Sequence, residues 1–97
     1  MPRIVTKRSI FDIVTETDVQ TFRGKHEGRR YAEVWDGEHE KLATVNQRID
    51  APNGNWKRAT VHWAGGDKSP ECARKFAMAL QHAADIAAYW NAEEGVN

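Results

Sequence analysis

The sequence predicts an α+β fold: an antiparallel β-meander of about 4-5 strands packed by one long C-terminal helix. Three observations point there. The run from Ser69 to Glu94 has helical spacing and a signal at each end. The chain before it consists of short β-branched and aromatic stretches separated by Asp36-Gly37 and Asn53-Gly54, both suited to tight turns. At 97 residues there is room for one domain, 1–97, and not for two.

The helix, expected over 70–94, has the most definite ends. Ser69 is a good N-cap, because its hydroxyl can accept from an orphan N–H of the first turn. Pro70 follows where a missing N–H costs nothing. Glu71 puts negative charge at the positive end of the helix dipole, and Gly95 stands where a stop is expected. Ala73, Phe76, Ala77, Leu80, Ala83, Ala84 and Ala87 form a stripe at three- and four-residue spacing, the expected core face. Cys72, Ala79, Ile86 and Trp90 form a shoulder beside it. The extra width has two readings: the helix lies in a concave sheet that wraps it on both sides, or the shoulder packs on a second chain, in which case Ile86 and Trp90 are the candidate contact of a homodimer.

Upstream, residues 1–8 are read as a loose arm or an edge strand. Ser9–Thr15 is the first firm strand. Phe11 and Ile13 point one way along it; Ile10 and Val14 point the other, with Asp12 between them. Val19–Phe22 is a further short strand, and the polar run Arg23–Arg30, with its two glycines, is expected to be an exposed loop. Tyr31–Trp35 ends at Asp36-Gly37, and a return strand with a weak pattern runs from His39 to Ile49. Asn55–Ala64 alternates well: Ala59, Val61 and Trp63 face the helix, while Trp56, Arg58, Thr60 and His62 face away.

The run from Val61 to Arg74, continuing to Asp85, resembles the end of many small actinobacterial and actinophage proteins of unknown function. Those proteins similarly close with a strand, a Ser-Pro-Glu cap and an alanine-rich helix. The likeness covers about the last third of the chain. It implies the fold and an accessory role, with a host protein as the natural target of a phage protein. It carries over no site residue.

Composition narrows the chemistry. Lys and Arg number 14 and so do Asp and Glu, so whole-chain attraction to nucleic acid or to an anionic membrane is not expected. One cysteine, Cys72, excludes an internal disulfide framework and a cysteine-based zinc site, and suits a reducing, cytoplasmic location. No apolar run reaches the ~20 residues of a membrane-spanning helix, and no apolar segment follows Met1-Pro2-Arg3 to make a signal peptide.

His26, His39, His62 and His82 lack the i, i+4 spacing of a zincin helix, so no metal is expected. Cys72 sits in the first helical turn, where a thiol is activated, yet on an apolar shoulder, where it is a small hydrophobe. Gly65-Gly66 lacks the Lys-Ser ending of a phosphate loop, and no Gly-x-Ser-x-Gly elbow occurs. Neither a catalytic residue nor a cofactor is expected.

What remains is a surface. Tyr31 and Trp35 share strand parity, and Trp56, Arg58 and His62 share another. Aromatics and arginine dominate protein-binding hot spots, and the balanced charge favours a protein partner. The expected function is a small non-enzymatic protein-interaction module that binds and modulates a partner. The alternative is a single-stranded nucleic-acid-binding protein that stacks bases on an aromatic, basic sheet face. Residues 1–30 favour the alternative, with a surplus of three positive charges.

Overall fold

The computed structural model describes residues 3–23, 25–37, 40–50, 54–63 and 66–95. His39, residues 51–53 of the second predicted turn, Ala64 and Gly65 lie outside the described residues, as does the side chain of His26.

Six strands precede one helix: β1 (Arg3–Arg8), β2 (Phe11–Phe22), β3 (Lys25–Asp36), β4 (Glu40–Asp50), β5 (Asn55–Trp56), β6 (Thr60–His62) and α1 (Pro70–Glu93). The sheet is antiparallel, in the order β1-β2-β3-β4-β5, and β6 also pairs with β4. The α+β meander with a C-terminal helix is therefore the fold.

The first strands differ from the expected ones. Arg3–Arg8 is an edge strand, and Ser9, at φ 56°, turns with Ile10 into β2. The two short strands expected at 9–15 and 19–22 are one strand of 12 residues. Nor is 23–30 a loop, since β3 begins at Lys25 and pairs with β2 from Phe22↔Lys25 to Asp12↔Trp35. Gly28 explains the misreading. A Cβ there would stand 2.7 Å from the Asp18 carbonyl oxygen, so this glycine serves a close strand approach rather than a turn.

One face of the sheet carries the core. Phe11, Ile13, Ala32, Val34, Ala43 and Val45 project toward α1 and are buried. A register shift between Val34 and Trp35 inserts an extra β4 residue, so Leu42 and Ala43 are both buried although adjacent. This bulge is why the alternation of β4 looks weak in sequence.

The helix is capped as expected. The Ser69 side chain accepts from the Cys72 N–H at 3.2 Å, and Gly95 takes φ 68° just past the end. Its buried face, however, is rotated from the predicted stripe. Ala79, Ala83 and Ala87 are buried, and Phe76, Leu80, Ile86 and Trp90 pack against the core, whereas Ala73, Ala77 and Ala84 are exposed. Most of the predicted shoulder is thus the contact face, and Cys72 is exposed. Small residues at every fourth position let the helix axis lie close over β3 and β4. The exposed alanines are good helix formers and no more.

The predicted strand 55–64 is interrupted. Residues 57–59 leave the ladder because their backbone groups are taken by others: the Lys57 N–H donates to the Arg48 carbonyl, the Lys57 carbonyl accepts from Gln47 Nε2, and the Ala59 N–H donates to Asn91 Oδ1. The break shifts the alternation by one. Trp56, opposite Ile49, and Ala59 both turn to the helix side, together with Val61. Trp63 lies beyond β6 and is 50% exposed, not packed under the helix.

Charged contacts tie both ends of α1 to β3. Lys75 Nζ lies 3.0 Å from Asp36 Oδ2, and Arg30 Nη1 lies 3.3 Å from Glu93 Oε1. The helix therefore runs antiparallel to β3. Asp36 also holds the Lys75 amine above its usual pKa, first through the hydrogen bond and then through its charge. Among the described residues no helix is long and apolar enough to cross a membrane.

Candidate functional site

Since α1 occupies one face of the sheet, the other is left without a second layer among the described residues. Strand register determines what this face presents, because directly opposed residues share a face. Along one row Arg3 opposes Glu16, which opposes Tyr31, then Asn46, then Thr60. Along the next Val5 opposes Val14, then Glu33, Thr44 and His62. A third row sets Lys7, Asp12, Trp35 and Lys41 side by side.

The apolar centre of the face is small and well formed. Val14 is buried although no helix lies over it. It lines a shallow concavity of about 360 Å³ with Val5, Trp35, Arg3, Asp12 and Gly37. Gly37 takes φ 62° just after β3, the positive φ for which the Asp-Gly pair is suited.

Around that centre the polar groups hold the aromatics in place. The Tyr31 hydroxyl donates to Glu16 Oε2 at 2.6 Å. The Trp35 indole N–H donates to Glu33 Oε1 at 3.2 Å, and the other oxygen of Glu33 takes Lys41 Nζ at 3.3 Å. Lys7 Nζ lies 3.8 Å from Asp12 Oδ1. The Tyr31 phenol is held above the ordinary tyrosine pKa, first by its hydrogen bond to Glu16, next by desolvation, then by the charges of Glu16 and Glu33; Arg3 pulls the other way.

The five residues singled out from sequence do not form one surface. Tyr31, Trp35 and His62 share the helix-free face. Arg58 is exposed in the link between β5 and β6. Trp56 is on the helix side, where Arg30 lies between it and Trp90, with its guanidinium carbon 4.9 Å from one ring centroid and 4.4 Å from the other. Arg30 Nε also donates to Gln47 Oε1 at 2.6 Å. This cluster closes the C-terminal end of α1 against β3, β4 and β5, with a cation near the negative end of the helix dipole. Ile86 and Trp90 are half-buried against the chain's own core. They also form one wall of a groove of about 340 Å³, floored by Thr6, Ile13 and Thr15.

Sequence reasoning missed Val5, Val14, Glu16 and Glu33 as members of the face. The parity of Val14 was visible, but its neighbours depend on cross-strand register, which the sequence leaves open once two strands merge into one. Of the histidines, His62 is exposed and His82 packs edge-on against Phe11, ring centroids 5.7 Å apart. Among the described residues no group of three or more His, Cys, Asp or Glu side chains is placed to hold a metal ion. No family model, curated protein or solved structure matches this chain.

Proposed function

We propose that the chain is a small non-enzymatic protein-interaction module and that the helix-free face of its sheet is the contact surface. The observation that supports this most is the pairing of an apolar centre with a polar rim. Val5, Val14 and Trp35 form the centre, and Arg3, Lys7, Asp12, Glu16, Glu33 and Lys41 surround it. Protein interfaces have this anatomy, with an aromatic anchor ringed by groups that remain partly wet. Tyr31 and Trp35 are held by hydrogen bonds before any partner arrives, which lowers the ordering cost of binding.

The same hydrogen bonds count against base stacking. Each ring has a carboxylate as its immediate neighbour, Glu16 for Tyr31 and Glu33 for Trp35, and a phosphate chain would be repelled there. Three carboxylates beside the apolar centre, Glu16, Glu33 and Asp12, are engaged with Tyr31, Trp35, Lys41 and Lys7.

The test is affinity capture with the intact chain and with Trp35→Ala, alongside titration of a fluorescent oligothymidine at rising salt. The expected result is a partner retained by the native chain and lost with Trp35→Ala while the fold is unchanged, with no oligothymidine binding. Capture indifferent to Trp35→Ala sinks the assignment of the face. Oligothymidine affinity that falls steeply with salt replaces the protein partner with a nucleic acid.

A further inference from the structure

We infer that β1 is a receiving edge for an extended, acidic segment of a partner protein, which joins the sheet as an additional antiparallel strand. This inference rests on the protein-interaction function proposed above and names the kind of partner.

β1 is the outermost strand, and among the described residues it is paired only with β2. All six of its residues are exposed. Its far side therefore presents unpaired backbone donors and acceptors, the template that strand addition uses. Ile4 and Val5 are 53% and 60% exposed and point to opposite faces, so each would gain cover from a neighbouring strand. Val5 is also part of the apolar centre, so an added strand would be continuous with the proposed contact face.

The charges select the occupant. Arg3, Lys7 and Arg8 make three cations in a strand of six residues. A second copy pairing antiparallel about Val5 would set Arg3 against the copy's Lys7. Like charges directly opposite one another destabilise a ladder. An anionic strand reverses the sign of every one of these contacts.

The fold itself contains a strand of the required kind. β2 sets Asp12 opposite Lys7, Val14 opposite Val5 and Glu16 opposite Arg3. One side of β1 is thus already matched by Asp-Ile-Val-Thr-Glu, and the incoming segment repeats that pattern on the other side. A further carboxylate would stand opposite Arg8, whose β2 partner is Phe11.

The probe is a capped peptide, Glu-Asp-Ile-Val-Thr-Glu, titrated into the full chain labelled with nitrogen-15. The expected result is saturable movement of the β1 amide resonances and slowed hydrogen exchange along β1. Affinity should fall as salt rises from about 0.05 M to about 0.5 M, because the contacts are exposed charge pairs. The double variant Arg3→Glu with Arg8→Glu alters exposed side chains and should keep the fold. It should bind the acidic peptide at least about tenfold more weakly, and a peptide with Lys in place of each acidic residue should bind it instead.

Absence of β1 shifts, or equal affinity in the double variant, overturns the inference. So does a native chain that sediments as a dimer with β1 amides protected before any peptide is added. An oligothymidine titrated in parallel keeps the two levels apart. If it shifts the Tyr31 and Trp35 resonances, the protein-interaction function fails as well; if neither probe binds, only the strand-addition inference fails.

Discussion

Ile13 and Val14 are neighbours on β2 and both are nearly inaccessible, but they are covered in different ways. Ile13 lies under the helix, in a layer with Phe11, Ala32, Val34, Val45, Ala79 and Ala83. Val14 lies on the opposite face, where long side chains of adjacent strands, Trp35 among them, fold over it. One face is a core made by a second layer, and the other is a sheet surface shielded by its own side chains. A residue can thus be buried on either side of a single sheet, and only the nature of its cover distinguishes packing from a preformed contact surface.

The largest expected effect tests that distinction. Phe11→Ala removes a wholly buried ring from the helix side and the edge contact with His82, and should cost about 3–5 kcal/mol. Val5→Ala on the other face shortens a side chain that is 60% exposed and should stay within about 0.5 kcal/mol. Denaturant midpoints measured side by side decide it. Equal losses for the two variants would mean that both faces are core, and the helix-free face would lose its standing as a contact surface.

A middle-sized effect is expected where the two layers meet at the end of the helix. Gln47 is buried; its Oε1 accepts from Arg30 Nε, and its Nε2 donates to the Lys57 carbonyl at 2.8 Å. Gln47→Ala leaves both groups short of a partner in a confined site. The cost should be about 2–3 kcal/mol, since each polar group buried without a partner is destabilising. A change below about 0.5 kcal/mol would show that water replaces the amide freely, and that the Arg30 cluster between Trp56 and Trp90 is an exposed stack rather than a closed corner.

These two sites also show what could be read from the sequence. The helix ends were legible because capping is local chemistry: Ser69, Pro70 and Gly95 act on backbone groups a few residues away. The opposition of Phe11 and Ile13 to Val14 was legible because strand parity is local too. The helix face was misjudged because alanine serves both as a core residue and as a helix former; Phe76, Ile86 and Trp90 mark the face better than any alanine does. The break at 57–59 was not legible, since it depends on Gln47 and Asn91, which are distant in sequence. The long hairpin of β2 and β3 was hidden by Gly28, read as a loop residue where it permits close strand approach. At the candidate site, Tyr31 and Trp35 could be placed together by parity, but their carboxylate partners and the separation of Trp56 required the register.

The smallest expected effect is confined to one proton on the helix-free face. Tyr31 donates to Glu16, and its pKa is raised, chiefly by that hydrogen bond and then by desolvation and the nearby carboxylate charges. Because the folded-state value lies above the unfolded one, the neutral phenol favours the folded chain. That contribution is fully present below the unfolded tyrosine pKa near 10 and is lost as pH rises through the higher folded value. Glu16→Gln removes the charge and weakens the acceptor, so the Tyr31 titration should move back toward the ordinary range. Phenolate absorbance near 295 nm follows this directly, with Tyr31→Phe identifying which of the two tyrosines is responsible. If Glu16→Gln leaves the titration where it was, Tyr31 is not held by Glu16 in solution. The face would then present a mobile ring, and binding would first have to order it.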